Sequence, residues 1–403
     1  MTQAESTSPG AEKAELQIRV VTSIDDVSSD AWNACASQGQ SLPFNPFVSH
    51  EFLSALERSK SATARTGWQP QHLLVETMHG DVVGAAPCYL KSHSRGEYVF
   101  DAGWADAYER AGGDYYPKLQ VSVPFTPAMG PRLMVREGVH GAPVRQALAR
   151  GLIELCRLRD ASSVHATFLP EHEADVLSVC GYLRRTDQQF HWDNEGYATF
   201  NDFLAALASR KRKLIKRERR AATVSDISVH WLKGSEITES VWDAFFAFYM
   251  DTGSRKWGRP YLTRDFFSMV GDSMRDQVLL IMAKRSGRWI AGALNFIGAD
   301  TLYGRHWGAV EDHPFLHFEV WYYQAIEYAI AHRLKRVEAG AQGEHKLARG
   351  YLPVTTHSAH YIAHPGLRKA VRDYLEHERG YIAAASEELA RAAPYRHDLT
   401  EQE

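Results

Sequence analysis

The run from Val337 to Pro353, "VEAGAQGEHKLARGYLP", holds more proton-active chemistry than a connecting loop needs. Glu338, Gln342, Glu344, His345, Lys346 and Arg349 fall within two short turns, directly after an apolar strand-like segment. Carboxylates and an imidazole can move protons, and a lysine and an arginine beside them can hold an anion. His345 and Arg349 stand four residues apart, so a short helix over "GEHKLAR" would present both on one face. Upstream, "LYGRHWG" carries Tyr303, Arg305 and Trp307, a phenol, a two-pronged anion donor and an indole. His317 and Glu319 open the following helical segment, where an acidic residue equally stabilises the helix dipole and an imidazole equally serves as a cap. In the first half, Asn45, His50, Lys118 and Thr126 are polar residues set among prolines and aromatics. That setting suits a preformed cleft wall or simply a rigid loop.

The elements that must position these residues are written twice. "QHLLVETMHGDVVGAAPCYLKSHSRGEYVFDAGW" and "QVLLIMAKRSGRWIAGALNFIGADTLYGRHWG" each read as strand, glycine-bearing turn, strand, polar turn and a third aromatic-rich strand. Each is followed by a helix, a strand, a short helix closed by Gly-Tyr, and a last strand. Phe318, Tyr322, Ala325, Ile326, Ala329 and Ile330 recur at helical spacing and predict one buried face. A strand–helix–strand crossover appended to an antiparallel meander gives an α+β fold with a mixed sheet in each half. The chain therefore divides into a disordered tail over 1–16, a first unit over 17–198, a linking helix over 199–224, a second unit with a C-terminal helix over 225–393, and a tail over 394–403. With 403 residues, two units are also what core size favours.

The linking helix contains "RKRKLIKRERR", eight cations against Glu218, so a local charge of +7 sits on a body that carries −10. Arg210, Arg212, Lys213 and Arg217 are the candidates for an anionic partner, against the plainer reading of a solvated helix face. Cys35, Cys88, Cys156 and Cys180 are widely spaced and form neither a CxxC pair nor a zinc pattern, so no metal site is expected. No apolar run reaches the length of a membrane span, and the polar N-terminus lacks the features of a signal peptide, so a cytoplasmic setting is expected.

The element order resembles that of the GCN5-related N-acetyltransferase (GNAT) fold, here in tandem. "FNPFVSHEFLSALE", "YYPKLQVSVPFTPAMGPRL", "LYGRHWG", "LHFEVWYYQAIEYAI" and "EAGAQGEHKLARGY" resemble the bacterial FemAB-like N-acyltransferases of peptidoglycan biosynthesis and recognition. The resemblance implies transfer of an acyl or aminoacyl group to an amine by direct attack, with no covalent enzyme intermediate and no permanently bound cofactor. Such a reaction needs a base for the amine, a donor for the developing oxyanion and a proton for the leaving group. Glu338, Glu344, His345 and Glu319 are the base candidates, and Glu338 and Glu319 are expected to face one cleft. Tyr303 would protonate the leaving group. Arg305, Trp307, His317, Gln342, Lys346, Arg349, Lys118, Thr126, Asn45 and His50 would bind substrate. The donor is acyl-CoA or aminoacyl-tRNA. One departure weighs against acyl-CoA: "GAVEDHPFLHFE" has no glycine run where such enzymes bind the CoA pyrophosphate, and it places Glu311 and Asp312 there. The rival from another class is a non-catalytic binding protein for an amino- or phosphate-bearing ligand.

Overall fold

A computed structural model describes residues 15–36, 43–224, 226–257, 260–340 and 344–396; the side chains of 254–257 and 344 lie outside the described set. The first half runs β1 (Leu16–Val21), α1 (Ser29–Ala36), α2 (His50–Arg58), β2 (Trp68–Pro70), β3 (His72–Thr77), β4 (Val82–Ala86), β5 (Cys88–Lys91), α3 (Ala102–Arg110), β6 (Lys118–Val121), β7 (Met134–Val135), α4 (Gly141–Leu158), β8 (Ser163–Leu169), α5 (Glu171–Val179) and β9 (Leu183–Asp193). Then come α6 (Phe200–Ala206) and α7 (Ser209–Ala222). The second half runs β10 (Ile227–Lys233), α8 (Glu239–Trp257), α9 (Arg264–Ser273), β11 (Val278–Arg285), β12 (Arg288–Ile297), β13 (Thr301–Ala309), α10 (Leu316–Phe318), a π-helical turn over Glu319–Tyr323, α11 (Gln324–Ala331), β14 (Arg336–Glu338), a 3-10 helix over Glu344–Arg349, β15 (Leu352–Ile362) and α12 (Pro365–Arg391).

The second meander forms as its sequence dictates. Ser286 and Gly287, both at positive φ, make the two-residue turn between β11 and β12, the geometry that matches the twist of a tight hairpin. β11 is apolar on both sides because α8 and α9 cover one face of the sheet and α10–α11 the other. The spacing on α11 buries Ala325, Ile326, Ala329 and Ile330, each larger aliphatic contributing about 1.5–3 kcal/mol. The first meander departs from expectation. Pro87 separates β4 from β5 and donates no ladder hydrogen bond, so β4 stays in a four-stranded sheet (β1-β3-β4-β7) while β5 joins an eleven-stranded one. The expected third strand is a loop leading into α3.

The larger sheet has the order β10-β11-β12-β13-β14-β9-β15-β8-β6-β5-β2. Each half supplies one parallel crossover pair, β6·β8 and β13·β14. The last strands are exchanged: β9 of the first half pairs with β14 of the second, and β15 of the second pairs with β8 of the first. The two GNAT-like units thus share a continuous sheet, and residues of both halves meet at its centre.

The segment 199–224 is two helices rather than one. Leu207 and Ala208 are extended, Leu207 is fully buried, and Ala208 donates to the Pro394 carbonyl. A straight helix could not bury Leu207 there and still turn the basic run outward. Thr199 caps α6 in a reciprocal capping box with Asp202. Among the described residues no helix is long and apolar enough to cross a membrane.

Candidate active site at the strand splay

β13 and β14 run parallel for three residue pairs, the last being Tyr303 with Glu338. β13 then continues to Ala309, while the chain leaves β14 through Ala339 and Gly340, the latter at φ 77°. The two strands separate at this level, at the carboxyl end of the crossover pair, where open sheets place their ligands. A bulge in β13 sharpens the geometry. Leu294 faces His306 and Asn295 faces Gly304, so Arg305 is the extra residue. Its guanidinium donates to the Phe125 carbonyl and lies 5.6 Å from the Phe47 ring centre. Burial lowers its pKa, and Tyr98 and Glu338 act the other way.

Glu338 is buried, and among the described residues its Oε2 has no hydrogen-bond partner. Burial pushes the carboxyl up to about 8, against the opposing pull of Arg336, the Met129 N–H and Arg305. His191, its cross-strand neighbour on β9, has Nε2 4.0 Å from Oε1. That nitrogen donates to Gln189 Oε1 at 3.2 Å, which leaves Nδ1 a lone-pair acceptor, also buried and unpartnered. Burial, helped by Arg336 and Lys346, depresses His191 to about 3, so the imidazole is neutral. Tyr303 packs edge-on to Phe47 at 5.1 Å, and burial followed by the Glu338 charge holds its phenol well above the usual range. Among the described residues Glu338 Oε2 and His191 Nδ1 are each buried acceptors without a hydrogen-bond partner, on neighbouring strands. A ligand N–H that reached Glu338 Oε2 would satisfy it.

The first half closes this face. Asn45 caps Phe47 and donates to the Met129 carbonyl at 2.9 Å, which fixes the 126–132 loop over Glu338. Thr126 is turned to the Pro124 carbonyl and lines a crevice with Arg305 and His306. The buried Arg132 is tied to the Ala128 and Pro131 carbonyls of the same loop.

The other expected residues lie elsewhere. Trp307 packs against the cluster on the opposite face of the sheet, 5.1 Å from the His317 ring. His345 bonds Tyr322 at 2.8 Å on that side. Arg349 stacks on Phe318 and forms a buried ion pair with Glu218 at 3.0 Å, so it is already committed. Glu319 does not share the cleft with Glu338: its carboxylate takes a forked bond from Arg219 and another from Gln324. Lys346, on the 3-10 helix, donates to the Gly340 carbonyl at 2.7 Å, and burial lowers it to about 7. Gln342 and the Glu344 side chain lie outside the described residues. His50 bonds the Ile24 and Val27 carbonyls at 3.0 and 3.1 Å, a tie between α2 and the preceding turn. Lys118 is fully buried and saturated by Ser94, Glu97 and Asp101. On α7, Arg210, Lys213 and Arg217 are exposed and Arg212 is half-buried. Among the described residues no cluster of three or more His, Cys, Asp or Glu is arranged to hold a metal ion.

His191, Gln189 and Arg132 are the residues that sequence reasoning missed. His191 had one local signal, a polar residue between the aromatics Phe190 and Trp192 in a strand pattern. Its nearness to Glu338 depends on the exchange of β9.

Comparison with known proteins agrees with this fold. FemX aligns with a TM-score of 0.51 and 12% identity, over 88% of this chain and all of its own. The C-terminal domain of a putative lysylphosphatidylglycerol synthetase from Agrobacterium fabrum aligns with a TM-score of 0.53 and 7% identity, over 86% of this chain and 95% of its own. At such identities the likeness concerns the fold. No curated protein sequence matches the chain. The profile of the FemAB-like family, described as peptidoglycan biosynthesis/recognition, covers residues 23–397, and with the tandem GNAT-like fold it supports a transferase role. The chain belongs to the FemAB-like family.

Proposed function

We propose that the chain is an N-acyltransferase in which Glu338 is the general base. The observation that carries this reading is the buried carboxylate with an unpartnered oxygen at the splay of β13 and β14. The acceptor amine approaches from the face closed by Asn45 and the 126–132 loop. Its nitrogen attacks the donor carbonyl carbon, Glu338 takes the N–H proton, and the bond to the leaving sulfur or oxygen breaks. Tyr303, which stays protonated at physiological pH, supplies a hydrogen-bond donor near the reacting centre. His191 keeps a neutral acceptor beside the amine. The family's description points to a cell-wall peptide as the source of that amine.

Glu338→Gln keeps the shape and removes the base. Turnover should fall by about two to four orders of magnitude while acceptor binding changes little. The wild-type rate should rise with pH through about 8, as the carboxyl deprotonates, and this limb should vanish in the variant. Intact turnover in Glu338→Gln, with an unaltered fold, would instead favour the non-catalytic binding reading.

For the donor, α7 favours aminoacyl-tRNA. Arg210, Lys213, Lys216, Arg217 and Arg220 are exposed on it, and the loop after β13 offers Glu311, already paired with Arg285 and His313, in place of a glycine run. Reversing Arg212 and Arg217 to Glu should weaken tRNA binding, with a loss that shrinks as salt rises. Equal binding across a salt titration would return the choice to acyl-CoA.

A further inference from the structure

Arg305 stands at the splay with most of its hydrogen-bonding capacity unused. Its guanidinium donates to the Phe125 carbonyl, and among the described residues it makes no other hydrogen bond and no ion pair. A guanidinium carries five N–H donors, so several remain beside the carboxyl of Glu338. The Phe125 carbonyl orients this group without neutralising it, as a carboxylate partner would. Phe125 itself is at φ 59°, a region that a large side chain rarely enters. Such a conformation persists where the surroundings over-determine it, and it marks places where position matters.

Three contacts hold Phe125 there. Its N–H donates to the Gly96 carbonyl at 3.2 Å, its ring stacks on Tyr261 at 4.7 Å, and Trp68 meets it edge-on at 5.3 Å. Gly96 is at φ 81°, and a Cβ on it would stand 2.6 Å from the Phe125 ring, so glycine lets the two segments approach. The next residue, Glu97, is buried, takes a bond from Lys118 at 2.7 Å and lies 3.6 Å from Lys91. Lys91 also donates to the Arg95 carbonyl at 3.3 Å and sits 3.4 Å over the Trp68 ring. Two buried lysines, one on β5 and one on β6, thus clamp the loop around Gly96. A chain of contacts runs from that clamp through Gly96 and Phe125 to Arg305.

We infer that Arg305 donates to the carbonyl oxygen of the acyl donor as that oxygen gains charge, and that Phe125 is the positioning residue that aims it. The inference rests on the proposed acyl transfer for the identity of the oxyanion, though not for the aiming of Arg305. As the amine nitrogen bonds to the carbonyl carbon, the π pair moves to oxygen and Glu338 takes the N–H proton. The pair returns to carbon as the bond to the leaving sulfur or oxygen breaks. A donor already aimed at that oxygen acts without reorganising, which is where preorganised hydrogen bonds count most.

The aiming is tested without substrate. In the full chain labelled with 15N-arginine, the Arg305 Nε–H resonance is assigned by its loss in Arg305→Lys. It should stay in place in Phe125→Gly, which keeps the left-handed backbone, and move in Phe125→Val, whose β-branch excludes it. It should also move in Gly96→Ala, a change that touches no group of the site. The oxyanion role is tested by turnover with alanyl-tRNA as donor and a lysine-containing peptide as acceptor. Arg305→Lys should lower kcat by about 10²-fold and leave KM within about two-fold. Phe125→Val and Gly96→Ala should each lose at least about ten-fold in kcat, and Phe125→Gly should keep more turnover than Phe125→Val although it removes more side chain. Circular dichroism checks that each variant is folded. A packing role for Phe125 predicts the opposite order, and that order overturns the aiming. So does an unmoved resonance in folded Gly96→Ala, which decides the matter if Phe125→Gly does not fold. A raised KM at steady kcat in Arg305→Lys makes Arg305 a substrate anchor and overturns the oxyanion role, as does a wild type inert toward this pair. If Glu338→Gln keeps full turnover while the Arg305 and Phe125 variants lose it, the base fails and this inference stands. If Glu338→Gln is inactive and Arg305→Lys fully active, the reverse holds.

Discussion

Two buried charges sit at the two parallel junctions of the same sheet, and they are treated in opposite ways. Lys118 stands at the amino end of β6, where burial works against its charge but Glu97 and Asp101 outweigh that penalty and keep the ammonium protonated. Its three donors are used by Ser94, Glu97 and Asp101. Glu338 stands at the carboxyl end of β14, where among the described residues no donor meets its second oxygen and burial wins. A saturated buried charge specifies structure; an unsaturated one at a strand splay stores unfavourable energy that a ligand can release. From sequence alone both were site candidates, Glu338 as a base at a strand end and Lys118 as a substrate-binding residue set among prolines and aromatics. The difference lies in the partners brought by distant segments.

The comparison breaks first at Lys118. Lys118→Met leaves Glu97 and Asp101 buried without their cation, and should cost about 3–5 kcal/mol in urea unfolding. A cost below about 1 kcal/mol would mean that the cluster is not structural, and the search for chemistry should move there. Arg349 sharpens the same contrast on the far face of the sheet. Arg349→Ala strands Glu218, which among the described residues then retains only the Tyr323 hydroxyl, and should cost about 2–4 kcal/mol. The affinity for an anionic substrate should not change, because the guanidinium is already occupied. A raised KM at undiminished stability would restore the anion-binding role expected from its spacing to His345.

What could be read in the sequence was local. The Ser286-Gly287 turn, the buried stripe of α11, the order of β14, short helix and β15, and the placing of Glu338 at a strand end all follow from spacing and turn chemistry. Which face each residue occupies did not follow. Arg305 and Trp307 are two residues apart and should share a face of a regular strand. The bulge at Arg305 puts it with His306 and Phe296 on one side, and Trp307 on the other. Glu319 and Glu338 were expected to meet across a cleft, but Glu319 is on the helix side, where Arg219 of the basic segment claims it. The exchange of β9 and β15 has no local signature. Asp193 pairs with Arg336 across most of the second half, and no turn residue or period records that. The nearness of His191 to Glu338 was invisible for this reason, and so was the first half's share in enclosing the site.

The smallest expected effect tests the unsaturated side of the comparison most directly. In the folded chain the Glu338 carboxyl is pushed up to about 8, from an ordinary value of 4.5. Between those values the native state holds a proton that the unfolded chain releases. Stability must therefore fall as pH rises from about 4.5 to about 8, and the full cost is present above that range. Glu338→Gln has no charge to bury, so the variant should be more stable than wild type at pH 8 and no different near pH 4.5. A gain of about 1–3 kcal/mol is expected, below the full linkage value because the new amide brings donors of its own into a wall of few acceptors. Urea midpoints at the two pH values would measure it. A variant that is less stable at pH 8 would show that the carboxylate is paired in the folded protein after all, and Glu338 would then join Lys118 as a structural charge. A variant that is more stable yet inactive would show stability given up at one atom for the sake of proton transfer, the compromise that separates this junction from the one at β6.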